Sequence, residues 1–400
     1  MKRHPIVIVG AGTAGTTVAA RLDRAGVGGV VLVDPAEDHF YQPLWTLVGG
    51  GLATASASAR KRSRTIPKGV SWLRAGAEGV DPQAQTVSLD TGEVIGYEQL
   101  VMAPGIQLDW HRIPGLVDTL GSNGVTSNYR YDLAPKTWEL IQRTRSGTVI
   151  FTQPAGPIKC AGAPQKIAYL AADYWRSQGV LKDIDIHLVL PTPAMFGIKQ
   201  FADILDHVAR QRYGMTVHLN SELTAVDGPG QVASIRDNTT GTVAELGFTM
   251  MHVTPPQSAP DWVKASLLSG ADDPHGYVEV DKHTLQHVRY GNVFALGDAG
   301  STPNSKTGAA IRKQAPVVVA NLQAAARRER PRAAYGGYAS CPLTTGRNRL
   351  LLAEFDYTMT PTPSNPLRYP DTTKELVDFH LFKKVGLPSL YWNLMLKGRA

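Results

Sequence analysis

Apolar residues early in the chain fall in short unbroken runs rather than in alternation. Residues 6–9, all β-branched, and the apolar residues 30–33 are runs of this kind, and each reads as a parallel strand buried on both faces. The Ala-rich apolar stretch between them reads as a helix. Residues 71–103 alternate strand-like segments with turns at Asp81-Pro82 and Thr91-Gly92, which predicts a β-meander and a return strand over residues 100–103. The pattern then repeats: a strand over 148–152, a helical run over 165–175 and a strand over 184–190. A helix over 201–212 and a strand over 216–219 follow, and residues 291–300 give a buried strand that ends at Gly297-Asp298. The apolar stretch 317–326 is short and ends in RRERPR, so it reads as core rather than a membrane span.

The first strand–helix junction carries chemistry. Gly10, Gly12 and Gly15 stand in G-x-G-x-x-G spacing immediately after the strand. The first glycine makes the tight turn, the second lets a pyrophosphate approach the backbone, and the third lets helix and strand pack closely. The helix N-terminus then faces the phosphates. Asp34, at the end of the second strand, is placed to accept hydrogen bonds from an adenosine ribose. Strand, turn, helix, strand and acid in order predict an adenine dinucleotide site. Pro104-Gly105 is a tight turn that brings backbone to the cofactor, and Asp298 is placed to accept from a ribityl chain. The helix beginning near Thr307 points its N-terminus at a ring system or a phosphate.

The second βαβ unit breaks this pattern. Where another glycine fingerprint is expected stands TQPAGPIKCAGAP, with prolines and Cys160. An enzyme taking hydride from a nicotinamide is expected to keep the phosphate loop, so this chain is not expected to use NAD(P)H.

Composition narrows the picture. Four hundred residues with 43% hydrophobic and 19% charged describe an ordinary globular protein of two or three domains. A net charge of +7 suits nucleic acid, an anionic membrane or an anionic substrate. No dense basic block with interleaved aromatics is present, which excludes nucleic acid first. Arg60 to Arg64 reads as a solvated basic face. Two cysteines exclude a disulfide framework and suggest catalysis if they pair. No histidine shows metal-ligand or triad spacing, and no metal is expected. The nucleotide motif lies so near Met1 that neither signal nor transit peptide is expected. Near the end, Leu387, Leu390, Tyr391, Leu394 and Met395 share one helical face, with Lys383, Lys384, Lys397 and Arg399 flanking it. Such a helix suits either a bilayer interface or docking on the core or a second subunit.

With these motifs placed, the chain resembles the sulfide:quinone oxidoreductases, in the branch that includes the animal mitochondrial enzyme. The resemblance rests on GAGTAG at Gly10, FYQP at Phe40, TQPAGPIKCAGAPQK around Cys160, GDAG at Gly297, SKTGAA at Ser305 and CPLTT at Cys341. It implies a fold of two Rossmann-like dinucleotide-binding domains in tandem, followed by a C-terminal amphipathic membrane-association region. The expected division is 1–115 and 286–335 for the FAD-binding domain, 116–285 for the second unit and 336–400 for the C-terminal region. The resemblance further implies Cys160 and Cys341 as the redox pair. It implies FAD contacts at Thr13, Ala14, Asp34, Gln42, Asp298, Lys306, Thr307, Gly308 and Ala309, and at Val80 through its backbone. Asp34 replaces the commoner Glu. Some branches link a third cysteine to the flavin; none exists here, so the FAD is expected to be non-covalent.

The implied reaction starts with hydrosulfide attacking Cys341, which leaves a persulfide there and frees Cys160 as thiolate, with Lys159 and Lys166 nearby to favour it. Electrons then pass through FAD to a membrane quinone, and a small acceptor such as glutathione, sulfite or coenzyme A removes the sulfur. The expected setting is the cytoplasmic face of a bacterial-type inner membrane, as a peripheral protein and possible homodimer. The rival readings are a type II NADH:quinone dehydrogenase, a flavocytochrome-type sulfide dehydrogenase and a non-catalytic flavin-binding redox sensor.

Overall fold

The structure, a computed structural model, describes residues 1–160, 162–364, 371–372, 374–377 and 382–400. Its first sheet is built around Arg3–Val9, whose apolar residues are buried on both faces. This strand pairs in parallel with Val30–Val33 on one side and with Val94–Met102 on the other, Val9 lying opposite both Val33 and Met102. Ser71–Leu73 extends the sheet beyond Val30–Val33. Beyond Val94–Met102 come the antiparallel strands Thr86–Leu89 and Ala77–Asp81. The return strand is longer than its apolar run suggests. Its first half closes the meander against Thr86–Leu89, while its second half takes Val293–Ala295 in parallel. The residues before Asp298 are thereby brought into the first sheet, one strand removed from Arg3–Val9.

The second sheet is wholly parallel, in the order Val125–Thr126, Met250–Val253, Gly147–Thr152, Ile184–Val189, Thr216–His218. Helix Ala163–Ser177 covers it, with Ile167, Ala168, Ala171, Ala172 and Trp175 buried in its core. The two strand–helix junctions differ in length. In the first unit only residues 10–12 separate strand Arg3–Val9 from helix Thr13–Arg24. In the second, residues 153–162 intervene before Ala163. A turn that long cannot present a helix N-terminus to a pyrophosphate as the short one does. It carries Cys160 instead.

The C-terminal region opens with strands, not helices. Ala339–Gly346 and Arg349–Phe355 form an antiparallel hairpin, with Cys341 opposite Ala353. Ala339, Cys341, Leu343, Leu351, Ala353 and Phe355 share one face by the two-residue period, and that face packs into the core of the second unit. Helix Leu387–Asn393 and the turn after it fold back onto the first unit. There Tyr391, Trp392, Met395 and Leu396 join the core formed by Val18, Leu22 and Leu44. The expected stripe is therefore rotated: Tyr391 and Met395 are buried, while Leu394 is 42% exposed. Phe379 and the side chain of Phe382, which the sequence offers with Tyr391 as the lining of a quinone entrance, lie outside the described residues.

Docking of this helix separates two neighbours by stability. Trp392→Glu should cost about 3 kcal/mol or more, because a buried ring is lost and a charge is left in its place. Leu394→Glu should be near neutral. Thermal unfolding of the two variants reads the difference, and equal melting temperatures would mean that the helix does not dock.

Candidate functional site: a cysteine pair beside a nucleotide cleft

Cys160 and Cys341, separated by 181 positions, meet with their sulfurs 3.1 Å apart, both as free thiols. Cys160 is held in an unusual place. Its φ is +57°, a left-handed conformation that costs a non-glycine residue about 1–2 kcal/mol. Two backbone bonds hold it there: its N–H donates to the Lys306 carbonyl (2.9 Å) and its own carbonyl accepts from Ala163 N (2.7 Å). Helix Ala163–Ser177 starts directly after it, with Pro164 in the first turn, and brings Lys166 Nζ within 2.9 Å of Cys160 Sγ.

The charges follow from these contacts. The bond from Cys341 and the ammonium of Lys166 hold the Cys160 thiol well below its ordinary value, against the opposing effect of burial. Cys341 is pushed well above it, by the same bond and by burial. Burial disfavours the Lys166 charge, yet the two sulfurs keep it above the usual lysine value. Lys383, one of the lysines flanking the apolar helical face, is buried and bonded to the Pro342 carbonyl and the Thr344 hydroxyl. Burial, with the nearby charge of Lys166, lowers it to about 7. The pair is therefore a Cys160 thiolate hydrogen-bonded by a Cys341 thiol, beside one firm and one labile ammonium.

Lys159 points elsewhere. Its Nζ donates to Gln42 Oε1 at 2.7 Å, and burial lowers it to about 8. Its N–H bonds Gln257 Oε1, and it bridges to Lys306. Lys306 in turn donates to the carbonyls of Asp298 and Gly300 at 2.8 and 2.9 Å. Burial holds the Asp298 carboxyl above its usual range. Thr307 caps helix Gly308–Ala326 by accepting from Ala310 N, with Ala309 in the first turn. Gln42, Asp298 and the Lys306–Ala309 turn thus converge on the cysteine loop.

The glycines divide by role. A Cβ on Gly10 would lie 2.3 Å from the Ala103 oxygen and 2.9 Å from Pro104 Cα, and one on Gly15 would lie 1.9 Å from the Gly10 oxygen. These two allow close packing. A Cβ on Gly12, Gly105 or Gly308 would meet nothing within 4 Å, so backbone there borders open space. Gly297 packs on Ala14, in the first turn of the first helix. Buried polar atoms without a partner, Gln257 Nε2, Tyr277 Oη and Ser305 Oγ, lie on residues next to Lys159 or Lys306 or touching them. Bare backbone at two helix starts, with unpaired polar atoms beside the second of them, suits a bound dinucleotide. Val80 sits apart from this convergence, on the outermost strand of the first sheet, paired with Val87.

Three site residues escaped the sequence reading. Arg62 belongs to the cluster read as solvated, yet it is 5% exposed, bonded to the Ala11 carbonyl and 3.2 Å from Asp34 Oδ1. Asp34 also accepts from Ala11 N at 2.7 Å and Ala36 N at 2.9 Å. His39 and Tyr391 bond each other and the phosphate loop. Nothing in a basic run marks which arginine turns inward.

Residues 4–320 match the model of the pyridine nucleotide-disulphide oxidoreductase family, and the chain belongs to that family. The chain is 40% identical over 398 residues to the mitochondrial sulfide:quinone oxidoreductase of Mus musculus, covering 99% of this chain and 87% of that protein. It is 40% identical over 397 residues to the corresponding protein of Dictyostelium discoideum, covering 98% and 86%. Within the larger family, then, the chain is an enzyme of the sulfide:quinone oxidoreductase family. The solved sulfide:quinone oxidoreductase of Aquifex aeolicus shares its fold, with a TM-score of 0.83 at 20% identity over 100% of this chain and 92% of that one.

The thiolate assignment is open to titration. Lys166→Met should raise the Cys160 thiol, moving the midpoint of its alkylation against pH upward by about one unit or more. An unchanged profile would remove Lys166 as the cause.

Proposed function

We propose that the protein oxidises sulfide to a persulfide on Cys341 and delivers the electrons through FAD to a membrane quinone. The observation that carries this reading is the contact of Cys160 and Cys341, with Lys166 on the Cys160 sulfur, on a loop that stands where a nicotinamide-binding phosphate loop would. In the oxidised enzyme the two sulfurs close by about 1 Å into a disulfide. Hydrosulfide attacks Cys341 Sγ: one S–S bond forms, the Cys160–Cys341 bond breaks, and Cys160 leaves with the electron pair. A thiol with a lowered pKa leaves faster, which favours this direction of attack. Lys166 holds the departing thiolate.

A small nucleophile, such as glutathione, sulfite or coenzyme A, then takes the outer sulfur from Cys341. Re-forming the disulfide releases two electrons. Bound FAD supplies the acceptor for them and the donor to quinone. Gly10, Gly12, Thr13, Ala14, Gly15 and Asp34 would hold its adenosine and pyrophosphate. Gln42, Pro104, Gly105, Gly297, Asp298 and the turn at Lys306, Thr307, Gly308 and Ala309 would hold the rest without a covalent bond, with Val80 a backbone contact. No helix among the described residues is long and apolar enough to cross a membrane. The quinone is met at a surface instead, and Val385 and Leu394, exposed beside Lys384, Lys397 and Arg399, are the face we assign to it.

An anaerobic titration of the flavin absorbance tests the reading. Sulfide should bleach it, NADH should not, and Cys160→Ser or Cys341→Ser should abolish the bleaching. Bleaching by NADH would favour an NADH:quinone dehydrogenase; bleaching by sulfide with no turnover of any quinone would favour a redox sensor.

A further inference from the structure

The last helix touches the nucleotide loop through a single hydroxyl. Thr13 opens the first helix, and its Oγ1 lies 2.8 Å from Tyr391 Oη. Tyr391 Oη lies 2.6 Å from His39 Nε2, and His39 Nδ1 lies 3.2 Å from the Ala11 carbonyl. The protons can be placed. A carbonyl only accepts, so Nδ1 carries the hydrogen. Burial, helped by the charge of Arg62, lowers His39 to about 3, so its Nε2 is bare at neutral pH. Tyr391 therefore donates to His39, and its oxygen accepts from Thr13. The chain of bonds runs Thr13 to Tyr391 to His39 to Ala11, and it closes around Gly12, the glycine whose backbone borders open space.

A second anchor holds the same segment. Gly398, at φ +66°, packs so closely on the first helix that a Cβ would lie 2.8 Å from the Ala20 carbonyl carbon, and Arg21 donates to the Ala400 carbonyl. Residues 391–400 therefore grip the first helix at both ends. Tyr391 is also wedged against Tyr41, with ring centroids 4.4 Å apart, and is 3% exposed.

We propose that Tyr391 is a positioning residue of the cofactor site: by bonding Thr13 and His39 it fixes the shape of the phosphate loop, and FAD retention is coupled to docking of the last helix. The inference rests on the FAD reading above. Coupling of this kind is reciprocal, so a bound dinucleotide also strengthens the docking.

The test uses the holoprotein. Tyr391→Phe keeps the ring packing and removes only the hydroxyl. FAD release, followed by the gain of flavin fluorescence on dilution, should be about fivefold faster in Tyr391→Phe and in His39→Leu, and no faster again in the double variant. Amide exchange over residues 391–400 should rise when FAD is removed. Release from Tyr391→Phe at the wild-type rate would overturn the proposal, as would independent, multiplying effects of the two substitutions. A wild-type protein that purifies without FAD and takes none up would sink the cofactor reading, and this inference with it.

Discussion

One backbone hydrogen bond, from Cys160 N to the Lys306 carbonyl, joins the two halves of the site. On one side is the loop that carries the thiolate; on the other is the turn that opens helix Gly308–Ala326. The bond belongs to a short parallel bridge between Lys159 and Lys306. It helps hold Cys160 in a left-handed conformation that its side chain disfavours. With the bonds of Lys159 to Gln257 and Gln42, it sets the distance between the cysteine loop and the turn after Asp298. Strain of this kind persists only where the surroundings over-determine it, and here they do from both sides.

The parts of this molecule that were legible in the sequence are those with a fixed spacing. Gly10, Gly12 and Gly15 follow a rule of backbone geometry, and the structure separates them into two that pack and one that borders open space. The missing second fingerprint was legible for the same reason. Arg62, His39 and Tyr391 were not, because each acts through a tertiary contact that leaves no local period. The hairpin with Cys341 lay between these cases. Its A-x-C-x-L alternation is a strand signal, but Pro342 interrupts it.

The tail shows why amphipathicity alone is ambiguous. A stripe of apolar residues on a helix states that one face leaves water, without stating what covers it. Here the cover is the first helix of the chain, and burial centres on Tyr391, Trp392, Met395 and Leu396, one step around from Leu394. Lys383 is buried as well, bonded to the hairpin that carries Cys341, and so becomes part of the electrostatics of the cysteine pair.

Those electrostatics depend on the redox state. With both cysteines reduced, one thiolate faces two buried lysines, and it can hold only one of them firmly charged: Lys166 stays protonated and Lys383 falls to about 7. In the disulfide neither sulfur carries charge, so the interaction that keeps Lys166 above the usual value is absent while its burial remains. Opening the disulfide therefore draws a proton or an equivalent positive charge into the site. In the reaction we propose, the nucleophile that opens it is hydrosulfide, an anion, and the buried lysines would offer that anion a field before any bond is made. The features that stabilise Cys160 as a leaving group thus also favour entry of the attacking group, and a neutral pair of buried thiols would provide neither.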